Sequence, residues 1–267
     1  MSSFDVARYD LPAEIKVEAD GPIRLVTLNR PADLNGANRA MHQGLARLWP
    51  LLGEDDGARV VILTGSGKAF CAGGDFDYMQ ENLDDEVLRT ETMREGQSII
   101  EGMLGCPLPI IAAVNGPAVG LGCSLAVLSD IVLIAEDAFL ADPHLRMGLV
   151  PGDGGMAWPM LTGLSRAKEY LFLGSRISAE AAVGMGLASR TVPTGSLSDE
   201  AYALAARLAQ IPAAALQSTK LALNSYLSQQ LDHAFATALS GELASMHSAE
   251  HRAAVTAVRS KAAAKTR

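Results

Sequence analysis

With 267 residues, 49% of them hydrophobic and 19% charged, the chain can bury a large core and is too apolar to be a disordered polymer. Its formal net charge of −8 offers no basic face for displacing counterions from a phosphate backbone, which argues against a nucleic-acid partner. No apolar run reaches the roughly 18 to 20 residues of a membrane span, and MSSFDVARYDL at the N-terminus lacks a basic-then-apolar signal pattern, so a soluble cytoplasmic protein with no membrane partner is expected. Three cysteines, Cys71, Cys106 and Cys123, form an odd set without metal-type spacing. They point to a reducing compartment, no disulfide framework and no metal, and each reads as a small buried residue and not a thiol nucleophile.

In chain order, IKVEAD (15–20) and IRLVTLN (23–29) are strands joined at Gly21-Pro22 in the manner of a hairpin. NRPADLNGANRAM breaks the extended pattern, and Met41, Leu45, Leu48 and Leu52 then recur at helical spacing over 39–52. RVVILTG (59–65) is a continuous apolar run, as in a strand buried on both faces. A first glycine turn, GSGKAFCAGGDF (65–76), leads through an acidic stretch at 81–86 into a helix over about 87–104. The unit then repeats in outline: strand 108–116, a second glycine turn VNGPAVGLGCSLA (114–126), helix 120–128, and strands 130–137 and 138–142. From about 155 the pattern is helical, with 165–174 and 178–186 each ending at glycine and Ser178 placed as an N-cap. After a last strand at 189–193, residues 197–262 read as three or four alanine-rich helices punctuated by Pro212 and a polar stretch near Ser228. The basic tail RSKAAAKTR is expected to fray.

Two glycine turns, each entered from a strand of β-branched residues, can aim two backbone N–H groups at one point without a Cβ in the way. Such a pair is suited to a developing oxyanion, each donor contributing roughly 3 kcal/mol in a water-poor site. At these residues, and over nearly its whole length, the chain resembles the crotonase (enoyl-CoA hydratase/isomerase) superfamily, whose members bind acyl thioesters and stabilise their enolates. The resemblance implies an α/β fold: a spiral of ββα units over 1–196 carrying the oxyanion site, and a C-terminal helical region, 197–267, that packs homotrimers or dimers of trimers. The same helices could instead form a lid on their own subunit. An acyl-CoA is the implied substrate, with coenzyme A arriving as part of it and no separate cofactor.

The resemblance places the oxyanion donors at the amides of Gly74, before Asp75, and Leu121, three residues ahead of Ser124. A helix beginning at Gly120 would add the positive end of its dipole at the same oxygen. Ala72, Gly74 and Phe76 match positions lining the adenine pocket, with a place in the core as the alternative for Phe76, while Leu34 stands where relatives often carry a basic residue toward coenzyme A phosphates. Ser124 and His144 occupy the positions of the two hydratase glutamates, so the usual carriers of protons are absent. In their place ADPHLRMGLVPGDGG (141–155) offers His144, with an ordinary pKa near 6.5, as base and Asp153 as its carboxylate. Gly152 matches a glycine whose N–H holds the catalytic water. Asp142, before Pro143, is the nearest competitor for that carboxylate role but is expected instead to fix an extended turn, and Glu242 to lie on a helix surface or to reach a neighbour's pocket. Trp49 and Trp158 read as core.

These features imply a lyase or isomerase acting through a thioester enolate. Two alternatives accompany it. One is carbon–carbon hydrolysis of a β-diketone, as in the superfamily branch typified by 6-oxocamphor hydrolase, whose additional histidine in the second turn is replaced here by GLGC. The other is a non-catalytic acyl-CoA-binding paralogue. Acyl-chain preference would lie in 77–103 and the C-terminal helices.

Overall fold

The computed structural model describes residues 9–265, with the side chains of all but 232, 233 and 261–265. The chain opens with β1 (Ile15–Asp20) and β2 (Ile23–Leu28), an antiparallel hairpin in which Ile15 faces Leu28. α1 (Arg39–Gly53) starts where the Asn38 side chain accepts the Met41 N–H, and it buries Met41, Leu45, Leu48 and Leu52. β3 (Val60–Gly65) is parallel to β2. α2 (Phe76–Asp84) and α3 (Glu86–Gly105) follow, then β4 (Ile110–Val114), β5 (Ala118–Val119), α4 (Leu121–Val127), β6 (Ile131–Ala135) and β7 (Phe139–Ala141). α5 (Trp158–Thr162), α6 (Leu164–Leu173), β8 (Ile177–Ser178), α7 (Ala179–Met185) and β9 (Arg190–Val192) complete the spiral, before α8 (Leu197–Ala209), α9 (Ala213–Ser245) and α10 (Ala249–Lys265).

The larger sheet runs β1-β2-β3-β4-β6-β9, parallel from β2 onward, and a small sheet β5-β7-β8 stands beside it. β3 and β4 are buried along nearly their whole length, as continuous apolar runs in a parallel sheet require, and Trp49 and Trp158 are core. The architecture is the crotonase-like α/β spiral of ββα turns with C-terminal helices.

Three local features differ from the sequence expectation. The acidic stretch leads into α3 as expected but also closes a helix that was not, α2: the N–H of Asp85 ends α2 on Glu81 O while its carboxylate accepts the Val87 and Leu88 N–H groups that begin α3. Ser228 marks no boundary, because α9 runs through it unbroken from Ala213 to Ser245; no residue there removes a backbone donor. The C-terminal helices do not all pack alike. α8 lays Leu197, Ala201 and Ala205 on the larger sheet, so it is a layer of the core, whereas α9 and α10 turn back over α3 and α2 of their own chain. The tail is helical to Lys265, and residues 266–267 lie outside the described residues.

Candidate active site

The two glycine turns are bonded to each other before any substrate is considered. The N–H groups of Phe70 and Cys71 both reach Pro117 O, and Val119 N–H donates to Cys71 O at 2.8 Å. Gly73 (φ 95°) and Gly120 (φ 52°) meet where the turns cross, in backbone conformations that a side chain would strain, and a Cβ on Gly73 would lie 3.0 Å from Val119 O. Ala37 N–H donates to Gly73 O and Asp75 N–H to Ala37 O, a pairing that passes over the Gly74 amide. Leu121 is the first residue of α4, where a helix has no acceptor for its N–H. Gly120 N–H donates to Ala141 O at 2.9 Å, which brings this helix start beside the end of β7 and the Asp142-Pro143-His144 segment.

Ala72, Gly74, Phe76, Gly120, Leu121, His144 and Asp153 all line one cavity of about 240 Å³. Phe76 opens α2 and is 40% exposed, so it belongs to the cavity mouth and not to the core. Ser124 and Gly152 stand behind the wall. Ser124 Oγ lies 3.2 Å from Asp153 Oδ1 and 3.3 Å from Gly120 O, so its single proton holds the loop and not a ligand. The Gly152 N–H, expected to hold water, is taken by Glu242 Oε2 at 3.0 Å.

Glu242 is the residue that sequence reasoning misplaced. It is buried beside the cavity of its own chain, with Oε1 3.9 Å from His144 Nε2. The signal was present: Leu231, Phe235, Ala238 and Glu242 follow one another at helical spacing, so an acid sits on the buried stripe of α9. Asp142 was likewise underread. It does fix the turn, accepting the His144 N–H at 3.1 Å, but its Oδ1 is also 2.5 Å from His144 Nδ1. The carboxylate that orients the imidazole is therefore Asp142 and not Asp153, because a side chain two residues away across a proline turn reaches the ring edge that Asp153, held by Ser124 and by the Gly154 N–H, does not.

The charges follow from this packing. Burial alone would depress the His144 imidazole, but Asp142, then Asp153 and Glu242, outweigh it and hold the ring well above 6.5. Burial pushes Asp142 up, yet the adjacent imidazolium brings it below the ordinary carboxylate value. Burial pushes Glu242 up to about 8, with His144 pulling it down and Asp153 adding to the rise. The packing thus favours an imidazolium on an ionised Asp142 beside a Glu242 inclined to keep its proton, the reverse of the neutral His144 base that the sequence led one to expect. Burial raises all three thiols, Cys71 to about 11, so none is a ready nucleophile. Asp142, His144 and Asp153 could share a cation, their ligand atoms lying within 4.8 Å of one another. A metal there would have to displace the proton between Asp142 and His144.

The sequence profile of the enoyl-CoA hydratase/isomerase family matches residues 18–263. The chain belongs to the enoyl-CoA hydratase/isomerase family. Among its relatives, a probable enoyl-CoA hydratase of Rhodobacter capsulatus is 38% identical over 234 residues, 86% of this chain and 89% of that one. A 1,2-epoxyphenylacetyl-CoA isomerase of Escherichia coli is 36% identical over 79% of this chain and 81% of its own. The crystal structure of an enoyl-CoA hydratase/isomerase from Mycobacterium paratuberculosis is similar with a TM-score of 0.91 and 49% identity, over 93% of this chain and 99% of that one. This family member is an enzyme of hydratase or isomerase type, and among the described residues no helix is long and apolar enough to cross a membrane.

Proposed function

We propose that this enoyl-CoA hydratase/isomerase family member acts on an acyl-CoA whose thioester oxygen is held by the amides of Gly74 and Leu121, with His144 and Glu242 as the acid and base. The observation that carries the reading is the placement of His144, fixed by Asp142 through Nδ1 and facing Glu242 through Nε2, on the cavity that both amides line. As negative charge moves onto the thioester oxygen, two preorganised N–H groups and the start of α4 stabilise it. Glu242, once ionised, takes a proton from water or from the substrate carbon, and the His144 imidazolium returns one to the enolate carbon. Hydration and double-bond isomerisation differ only in whether water oxygen bonds to the β-carbon or the proton returns at another carbon. Ser124 and Asp153 support this pair: Asp153 raises the proton affinity of both His144 and Glu242, and Ser124 holds Asp153 in place.

Turnover of a panel of enoyl-CoAs tests the reading, followed by loss of the conjugated thioester absorbance or by migration of the double bond in NMR. Tight acyl-CoA binding with no turnover anywhere on the panel would instead identify a non-catalytic paralogue.

A second reading is favoured by the Asp142–His144 pair together with exposed Leu34 at the position of the missing coenzyme A cation. An oriented imidazole beside an oxyanion site also fits hydrolytic cleavage of a β-diketone that carries no coenzyme A. Ring opening of a cyclic β-diketone, unaffected by free coenzyme A, would select it. Cytoplasmic residence accords with the acidic chain, and assembly as a homotrimer or dimer of trimers with the apolar side chains Leu221, Leu223 and Tyr226 that α9 exposes. Sedimentation at several concentrations measures the latter.

A further inference from the structure

One wall of the cavity does not suit a plain hydrocarbon. α1, α2 and α3 bring His42, Tyr78, Asn82 and Thr92 to it, all nearly buried, beside Met79 and Met93. Three of these satisfy one another. Thr92 Oγ carries one proton, which goes to Asn82 Oδ1 (2.8 Å) or Leu88 O (2.9 Å), and the Tyr78 hydroxyl lies 2.6 Å from Thr92 Oγ, so the three side chains form one hydrogen-bonded set. His42 is different. Its Nδ1 lies 2.7 Å from Glu95 Oε2, and because a carboxylate only accepts, Nδ1 carries the proton. In the neutral imidazole Nε2 is then the lone-pair acceptor, and no protein donor bonds it among the described residues. The Tyr78 ring, centred 5.9 Å away, packs against the imidazole and holds its plane. An acceptor fixed in this way on a residue that lines an apolar cavity costs free energy whenever a ligand without a donor dries it.

We infer that His42 selects an acyl group bearing a hydroxyl on its chain beyond the thioester, the hydroxyl donating to His42 Nε2. This rests on the acyl-CoA reading of the site. It adds a specificity residue on a wall built by elements that supply neither the oxyanion amides nor the proton-transfer pair. Glu95 acts through His42 as a positioning residue, since it fixes which nitrogen is the acceptor.

The test is calorimetric binding of hexanoyl-CoA and of hexanoyl-CoAs carrying a single hydroxyl at each carbon from γ outward, to the wild type, His42→Phe and Tyr78→Phe. At one position the hydroxyl is expected to tighten binding to the wild type about tenfold, the worth of one well-made neutral hydrogen bond. His42→Phe should bring the two ligands level, and Tyr78→Phe, which retains the ring packing, should keep the preference and so control for folding. A keto oxygen at the same carbon should gain nothing, having no proton to give. The inference is overturned by equal binding of all hydroxylated and plain ligands, by a preference that survives His42→Phe, or by a keto gain equal to the hydroxyl gain; in each of these the acyl-CoA reading stands. Failure of any acyl-CoA to bind overturns both.

Discussion

Glu242 Oε1 stands 3.9 Å from His144 Nε2, too far for a hydrogen bond and close enough for one small reacting group to touch both. Its other oxygen is anchored by the Gly152 N–H at 3.0 Å. Glu242→Gln keeps an oxygen for that anchor and removes the proton acceptor. kcat is expected to fall roughly 10²- to 10⁴-fold while the melting temperature at neutral pH holds, since the protonated acid and the amide are both uncharged there. In the wild type kcat/KM should climb as pH passes about 8, where Glu242 ionises, and the variant should lose that arm. A pH–rate profile of both proteins decides it; an unchanged profile in Glu242→Gln removes Glu242 from the chemistry.

The same burial has a consequence for stability. A carboxyl raised from 4.5 to about 8 binds more protons folded than unfolded between those values, and His144, held above 6.5, does so above 6.5. Both contributions therefore decline as pH rises: the Glu242 contribution is lost from pH 4.5 to about 8, and the His144 contribution is complete below 6.5 and lost as pH climbs through its folded value. The melting temperature should fall from pH 6 toward pH 9 by more in the wild type than in Glu242→Gln, as read by calorimetry at matched ionic strength.

Asp142 and Asp153 are separable. Asp142→Asn still accepts the His144 N–H but withdraws the largest upward influence on the imidazole, so the His144 proton affinity should drop and kcat should fall by roughly a hundredfold. Asp153→Asn withdraws a more remote charge and loosens Ser124, with the smaller change in His144. ¹⁵N NMR titration of the ring in the two variants ranks them; a larger shift in Asp153→Asn would restore the pairing that sequence spacing suggests.

Much of the architecture could be read from local pattern. The hairpin at 15–28, the helix carrying Met41, Leu45, Leu48 and Leu52, the buried strand at 60–65 and both glycine turns announce themselves because period, punctuation and burial agree locally. The residues that line the candidate cavity were legible in the sequence, His144 and Asp153 among them, but the partners of the side chains were not. Gly74, Gly120 and Leu121 sit in turns whose shape the glycines enforce, whereas the side-chain partners of His144 depend on where distant elements pack. Asp142 reads as a turn residue because its second role needs the ring to fold back over Pro143. Glu242 reads as surface because a single carboxylate on a long alanine-rich helix has no local sign of what covers it. The apolar residues that precede it on the same stripe are the sign, and they point only to burial, not to His144.

Gly152 offers a test of that tertiary contact. Its backbone is not left-handed, so a side chain is barred by space alone: a Cβ would overlap the Glu242 carboxylate and approach Ala238 O to 3.0 Å. Gly152→Ala should push α9 off the site, costing about 1 to 3 kcal/mol as overpacking does, with most activity lost. Adding Glu242→Ala removes the worst overlap, that with the carboxylate, and leaves only the tight approaches to Ala238 O and the residue-242 Cβ, so the double variant should recover part of the stability and none of the activity. Denaturant unfolding of the two single variants and the double variant measures the coupling; additive losses would mean that the glycine and the acid do not meet.

The amides proposed to hold the oxyanion cannot be removed by changing side chains, but one of them can be removed by proline. Leu121 is the first residue of α4, where proline's missing N–H breaks no helical bond and its fixed φ suits the helix. Leu121→Pro should therefore fold, giving up part of one leucine's burial, while kcat drops roughly 10²- to 10³-fold, the worth of one oxyanion donor. Substrate binding should suffer far less than kcat, because the lost bond strengthens only as charge develops on oxygen. Steady-state kinetics beside a thermal melt read both quantities. A folded Leu121→Pro protein with wild-type kcat would show that charge is not stabilised at this amide, and the proposed alignment of the two glycine turns on one oxygen would fall with it.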